Sequence, residues 1–327
     1  MFATRLTEML GIKYPIVQGG IQWLATAQLA SAVSEAGGLG IISSLSFPDQ
    51  GSLRKEIRQM KEKTRKPFGV NLSILPGLSE GDRVTKMLQV ILEERVPVVE
   101  TSGRSPESFV QELKSEGIKL IHKVPSVRFA QKAESIGADA VTVVGFECGG
   151  RPGVDEVTSL VLIPKAVESV KIPIIAGGGI ADGRGFLAAL ALGAEGVVMG
   201  TRFVATEECP AHPRFKEGFV NARETDTLLI YRSIKNAARV LKTEAAQKIL
   251  SLEQEGATPE ELMAAMGGRM SPSAYREANV DGTIMGCGQC VGLIHKIKSV
   301  REVIEDMIQE AQSVLQKLNT IIGDHER

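Results

Sequence analysis

Two glycine turns are the residues best equipped for chemistry. One is Gly177–Gly179 in PIIAGGGIADGRG (173–185), and the other is Gly200–Thr201 in GVVMGTRF (196–203). Each follows a short apolar run. Glycine lacks a Cβ, so its backbone N–H can come close to an anion. Thr201 adds a hydroxyl where a short helix is expected to open, a favourable place for phosphate. Two such turns on adjacent strands can grip one phosphate. The alternative is that they only close tight strand-to-helix connections.

A third stretch, PIVQGGIQW (15–23), ends an apolar run in Gly19-Gly20 and leaves bare backbone on which a flat ligand can stack; a plain turn is the alternative. Asn71 closes FGVN and Lys123 closes LIHK, two polar ends on otherwise apolar runs. Lys123 can place a positive charge beside an electron-rich ring and stabilise its reduced anion, or it can form a structural ion pair. His122 should face the opposite way by strand alternation and pack under a helix.

The turn GFECGGRPG (145–153) carries Glu147, Cys148 and Arg151. Arginine keeps its proton near neutral pH and cannot act as a base. It can bind a carboxylate, a nitronate or a pyrophosphate. Cys148 has no histidine near it in sequence and reads as a small buried thiol. Cys287 and Cys290 form a C-x-x-C pair with no second pair to complete a zinc site, so no metal is expected. Gln289 and Gly292 share that turn and could close over a bound cofactor.

These residues need a scaffold that gathers them. Eight short apolar runs provide it: Pro15–Gln18, Leu39–Ser43, Phe68–Asn71, Val96–Glu100, Leu120–Lys123, Ala140–Val144, Ile172–Ala176 and Gly196–Met199. None alternates polar with apolar, as expected of parallel strands buried on both faces. Between them lie helix-period segments: Ala25–Ala36, Gln50–Lys63, Glu80–Glu93, Pro106–Ser115, Val127–Ile136, Leu160–Val170 and Arg184–Leu192. An open doubly wound sheet carries its fingerprint glycines after strand 1. Here they cluster after strands 6, 7 and 8, which predicts an α/β fold of the (β/α)8 TIM-barrel type with phosphate held after strands 7 and 8. Residues 1–212 and 285–327 are assigned to the barrel. Residues 213–284 are assigned to a mainly helical insertion or lid, with helices over Arg214–Arg223, Thr243–Glu255 and Thr258–Met266. Val300–Leu318 is the expected last barrel helix.

The bulk numbers exclude other classes. The net charge is −1 and aromatic residues are 4% of the 327, which argues against nucleic acid as a partner. No run reaches the 18 or so apolar residues of a membrane span, and the N-terminus lacks a signal-peptide pattern. Four cysteines make no disulfide framework. A cytoplasmic enzyme with a small-molecule substrate is the expectation, with a homodimer the assembly considered.

Taken together, PIVQGGIQW, AGGLGIIS, PFGVNL, HKV, GFECGG, AGGGIADGRG and GVVMGTRFVAT resemble the nitronate monooxygenase (2-nitropropane dioxygenase-like) family of FMN barrels over nearly the whole chain. The overall look is similar to its NADH:quinone reductase subgroup, and flavin-dependent enoyl-ACP reductases share the fold. The resemblance implies FMN, with its phosphate at Gly178, Gly179, Gly200 and Thr201 beside Gly177. It implies the isoalloxazine near Gly20, Ile21, Gln22, Asn71 and Lys123, with Gly150 alongside. It also implies oxidation of alkyl nitronates with oxygen. NAD(P)H:quinone reduction, enoyl-ACP reduction and a non-catalytic flavin barrel are the alternatives, NAD(P)H being the candidate donor. The family motif after strand 6 usually reads GG-His or AG-His, that His acting as base or acid over the flavin, and here the position is Arg151. A neutral nitroalkane must lose a carbon proton, and Arg151 cannot take it; a preformed nitronate needs no base, so Arg151 can bind it directly.

Overall fold

The computed structural model describes residues 2–74, 83–267 and 272–322. Eight parallel strands are β1 (Ile16–Gln18), β2 (Gly40–Ser43), β3 (Phe68–Ile74), β4 (Val98–Gly103), β5 (Lys119–Val124), β6 (Ala140–Val144), β7 (Ile174–Gly177) and β8 (Gly196–Met199). They pair in the order β1-β8-β7-β6-β5-β4-β3-β2. A bridge between Val17 and Leu39 draws β1 to β2 and nearly closes the ring. The buried Gln18 helps there, its side chain accepting from Ile41 N and donating to Ile41 O, each at 3.2 Å. This is the expected (β/α)8 TIM barrel.

All eight expected strands form. β3 and β4 each run three residues past the apolar stretch, through Ser73-Ile74 and Ser102-Gly103. Polar side chains are tolerated there because the two strands point them at each other, Ser73 and Ser102 lying 3.1 Å apart. Helices fill the connections; residues 80–82 of the expected Glu80–Glu93 helix lie outside the described residues.

The lower half of the barrel interior is apolar. Val17, Ile41, Val98, Ile121, Ala140, Ile175 and Val198 meet there. A helix that the sequence reading did not anticipate, Arg5–Leu10, plugs this end with Leu6 and Leu10. Its start is held by a capping box at Thr4. At the chain's other end, Val300–Ile322 packs against the helices Gly183–Ala191 and Ala27–Glu35. Gly183 allows the close approach, since a Cβ there would lie 2.4 Å from Met307 O.

Residues 213–284 contain helices Pro213–Asn221, Glu244–Gln254 and Pro259–Met266, as well as an antiparallel hairpin absent from the sequence reading. Its strands are β9 (Thr227–Ile230) and β10 (Ala238–Leu241). Among the described residues, no helix is long and apolar enough to cross a membrane.

Candidate active site

The upper half of the barrel interior is polar, in contrast to the apolar half beneath it. Asn71, Glu100, Lys123 and Thr142 sit on β3 to β6, each two residues along its strand from Gly69, Val98, Ile121 and Ala140 and so on the same inward face. Glu100 is fully buried. Its Oε2 accepts from Asn71 Nδ2 at 2.6 Å and from Lys123 Nζ at 3.1 Å. Ser73 Oγ donates to Asn71 Oδ1 at 2.9 Å, fixing the carboxamide's orientation. Glu100 Oε1 and Thr142 Oγ1 are buried and have no hydrogen-bond partner among the described residues. A buried polar atom left unpaired is costly, so these two leave hydrogen-bonding capacity on the inner face that a water or a polar ligand can use.

Gly20, after β1, lies against this row. A Cβ on it would fall 2.6 Å from Asn71 Cβ. Ile21 and Gln22 follow on the rim, with Gln22 exposed.

Across the mouth are the two glycine turns. Gly178 and Gly179 adopt φ values of +90° and +75°, which suit glycine alone. Gly200 faces open space, with no atom nearer than 3.9 Å to where its Cβ would be. Among the described residues, the N–H groups of Gly178, Gly179, Gly200 and Thr201 find no acceptor. Four unclaimed donors from the connections after β7 and β8 make a cradle that is free to receive an anion. The neighbouring helix Ser159–Ser169 is not part of it, because Glu147 already accepts from Ser159 N at 3.0 Å.

The turn after β6 and the segment 286–293 cover the cradle. Gly288 N donates to Thr201 Oγ1 at 3.0 Å and Gln289 N to Glu147 O at 2.9 Å. Gly149 permits this contact, since a Cβ would lie 2.8 Å from the Cys287 backbone. Gly292 packs instead on Glu224 of the insertion.

Gly150 exchanges two main-chain hydrogen bonds with Arg239 of β10, at 2.9 and 2.7 Å. Arg239, which the sequence reading missed, is buried; its guanidinium reaches Phe146 O at 3.2 Å and lies 4.9 Å from the Phe146 ring centre. Arg151 donates to the carbonyl of Asn236, at the hairpin tip, at 2.8 Å and also to its side-chain oxygen.

This rim is where the chain's relationships become informative. The family model for nitronate monooxygenase matches residues 3–83 and 77–310. The chain belongs to the nitronate monooxygenase family. It is similar to a probable nitronate monooxygenase of Staphylococcus saprophyticus, at 30% identity over 96% of this chain and 99% of that protein. It is also similar to a (3aS,4S,5R,7aS)-5-hydroxy-7a-methyl-1-oxo-octahydro-1H-indene-4-carboxyl-CoA dehydrogenase of Mycobacterium tuberculosis, at 31% identity over 98% of this chain and 99% of the relative. Among solved structures it resembles FabK from Thermotoga maritima, with 43% identity, a TM-score of 0.91 and coverage of 97% and 99% of the two chains. Membership makes this a flavin-dependent oxidoreductase.

The structure thus gathers Gly20, Asn71 and Lys123 on one side of the mouth, and Gly177–Gly179, Gly200 and Thr201 on the other. His122 points away from the mouth, buried, its Nδ1 2.8 Å from Thr101 Oγ1. Burial pushes its pKa down to about 4. Cys148, Cys287 and Cys290 are buried, and burial raises all three thiols, Cys148 to about 12 and Cys290 to about 11. Sequence reasoning passed over Glu100. The available signal was a carboxylate ending an apolar run, as Asn71 and Lys123 do. A cavity of about 390 Å³ at the opposite end, lined by Lys13, Tyr14, Glu35 and Arg301 among others, shares no residue with this rim.

Proposed function

We propose that the chain is an FMN-dependent oxidoreductase that works on the carbon chain beside a thioester carbonyl, with NAD(P)H as electron donor. Gly178, Gly179, Gly200 and Thr201 would hold the phosphate, and Gly20, Ile21, Gln22, Asn71, Lys123 and Gly150 would surround the ring. The four unclaimed N–H groups and the two orphaned polar atoms fit such a ligand. FMN supplies reversible two-electron chemistry when bound. The cation of Lys123 would favour negative charge on the ring. Residues 213–284 would act as a lid, with the 286–293 segment excluding water from the phosphate end.

The turn after β6 narrows the reaction to steps that need no carbon base. Its Arg151 cannot take a proton from carbon and is already tied to Asn236. Hydride transfer from a nicotinamide needs no base, and neither does oxidation of a preformed nitronate, so the likenesses to known proteins weigh between them. Two likenesses support a thioester: the named substrate of the M. tuberculosis relative is a coenzyme A thioester, and FabK is an enoyl-ACP reductase.

Oxidation of alkyl nitronates with oxygen is the second reading, favoured by the family match and by a fixed cation at 151 suited to an anion. Anaerobic stopped-flow separates the two. Loss of flavin absorbance with NADH or NADPH and its recovery on adding crotonyl-CoA is the expected result. Loss with ethyl nitronate but with neither nicotinamide would favour the second reading. Recovery by a quinone but not crotonyl-CoA would replace the thioester by a quinone, and colourless protein that takes up no FMN would overturn the cofactor.

A further inference from the structure

We propose that Glu100 is a positioning residue that sets the charge presented to the flavin ring, by holding Lys123 and Asn71 and cancelling the lysine's charge. The proposal rests on FMN occupying the mouth as described above. Glu100 is fully buried on the inner face of β4, flanked by Asn71 on β3 and Lys123 on β5. One carboxylate oxygen receives both neighbours, at 2.6 and 3.1 Å. It therefore fixes together the two polar side chains expected to face the ring. The Lys123 side chain keeps 25% exposure, while Glu100 keeps 1%. The cation is the member nearer the open mouth, and the anion lies behind it. Coulomb forces act strongly where water is scarce, so the pair's balance decides how much positive field a bound ring meets. The second oxygen, Oε1, has no partner among the described residues. A carboxylate kept in so dry a place with half its acceptor capacity unused is not what packing alone would select.

The reduction potential of bound FMN tests this. Glu100→Gln keeps the shape and removes the opposing charge. It should strengthen binding of reduced over oxidised FMN about tenfold, a rise of about 30 mV for a two-electron couple. Lys123→Met should shift the ratio the other way. The double variant should return near the parent, and Glu100→Asp, which keeps the charge, should stay close to it. A purely structural carboxylate would lower FMN affinity in both redox states and leave their ratio alone. An unchanged potential in Glu100→Gln, or a double variant that does not return, would overturn the proposal. Should Glu100→Gln fail to fold, an unchanged potential in Lys123→Met alone overturns it, since the cation Glu100 holds would then not act on the ring. Parent protein that binds no FMN would instead sink the cofactor reading.

Discussion

Arg151 and Asn236 are joined by a 2.8 Å hydrogen bond from the guanidinium to the main-chain carbonyl, which ties the turn after β6 to the tip of the β9–β10 hairpin. The residues are 85 positions apart in sequence. Arg151 therefore has a structural duty in addition to carrying a fixed charge.

Arg151→His should supply the base that the parent lacks. Turnover of nitroethane relative to its nitronate should rise by about 10² or more, the usual contribution of general-base catalysis. Steady-state rates with both substrates at one pH measure the ratio. An unchanged ratio would show that position 151 does not face the substrate carbon.

Gly20→Ala should push Asn71 off Glu100, because the new methyl would lie 2.6 Å from Asn71 Cβ and 2.7 Å from its Cγ. Such overpacking costs about 1–3 kcal/mol, and FMN retention should fall with it. Urea unfolding and the flavin-to-protein absorbance ratio report the two effects. A variant as stable and as yellow as the parent would mean that β3 yields without loss.

His122 should make stability fall on mild acidification. Its folded pKa is about 4, from burial, against an ordinary value of 6.5. The unfolded chain thus takes up a proton at a higher pH than the native one does. The neutral ring's contribution is present above pH 6.5 and is lost as pH falls towards 4, by about 3 kcal/mol in all. His122→Gln should flatten that part of the stability profile in urea titrations at pH 4 to 7. An equally steep loss in the variant would assign it to other groups.

The cysteines should be inert in the folded enzyme. All four are buried, and burial raises each thiol, Cys209 to about 11. Thiolate is the reactive form. Iodoacetamide at pH 8 should leave them unmodified in native protein and label them after unfolding, as read by mass spectrometry. Rapid native labelling of Cys287 or Cys290 would instead point to a redox role for that C-x-x-C pair.

Much of the frame was legible because it is written in local chemistry. Eight apolar runs became eight strands, and the glycines after β7 and β8 became the turns with free N–H groups. The β9–β10 hairpin escaped notice because its two short strands lie in a charged stretch outside the regular strand–helix repeat. The plug helix Arg5–Leu10 is six residues, too short for a periodic signal. Arg239 belongs to no motif that marks it in the sequence. Only the docking of β10 against Gly150 buries it.

By itself, the sequence determined the order of the barrel's strands and connecting helices, the glycine turns that can approach an anion, and the presence of a fixed cation, Arg151, in the turn after β6. These follow from backbone freedom, apolar periodicity and side-chain identity, all properties of neighbours in the chain. The tertiary structure decided which side chains share a fate. It paired Lys123 with Glu100 across β5 and β4, joined Arg151 to Asn236, and brought Gly288 onto Thr201 from 87 residues away. Strand register and barrel closure choose such partners, and they depend on the packing of the entire chain.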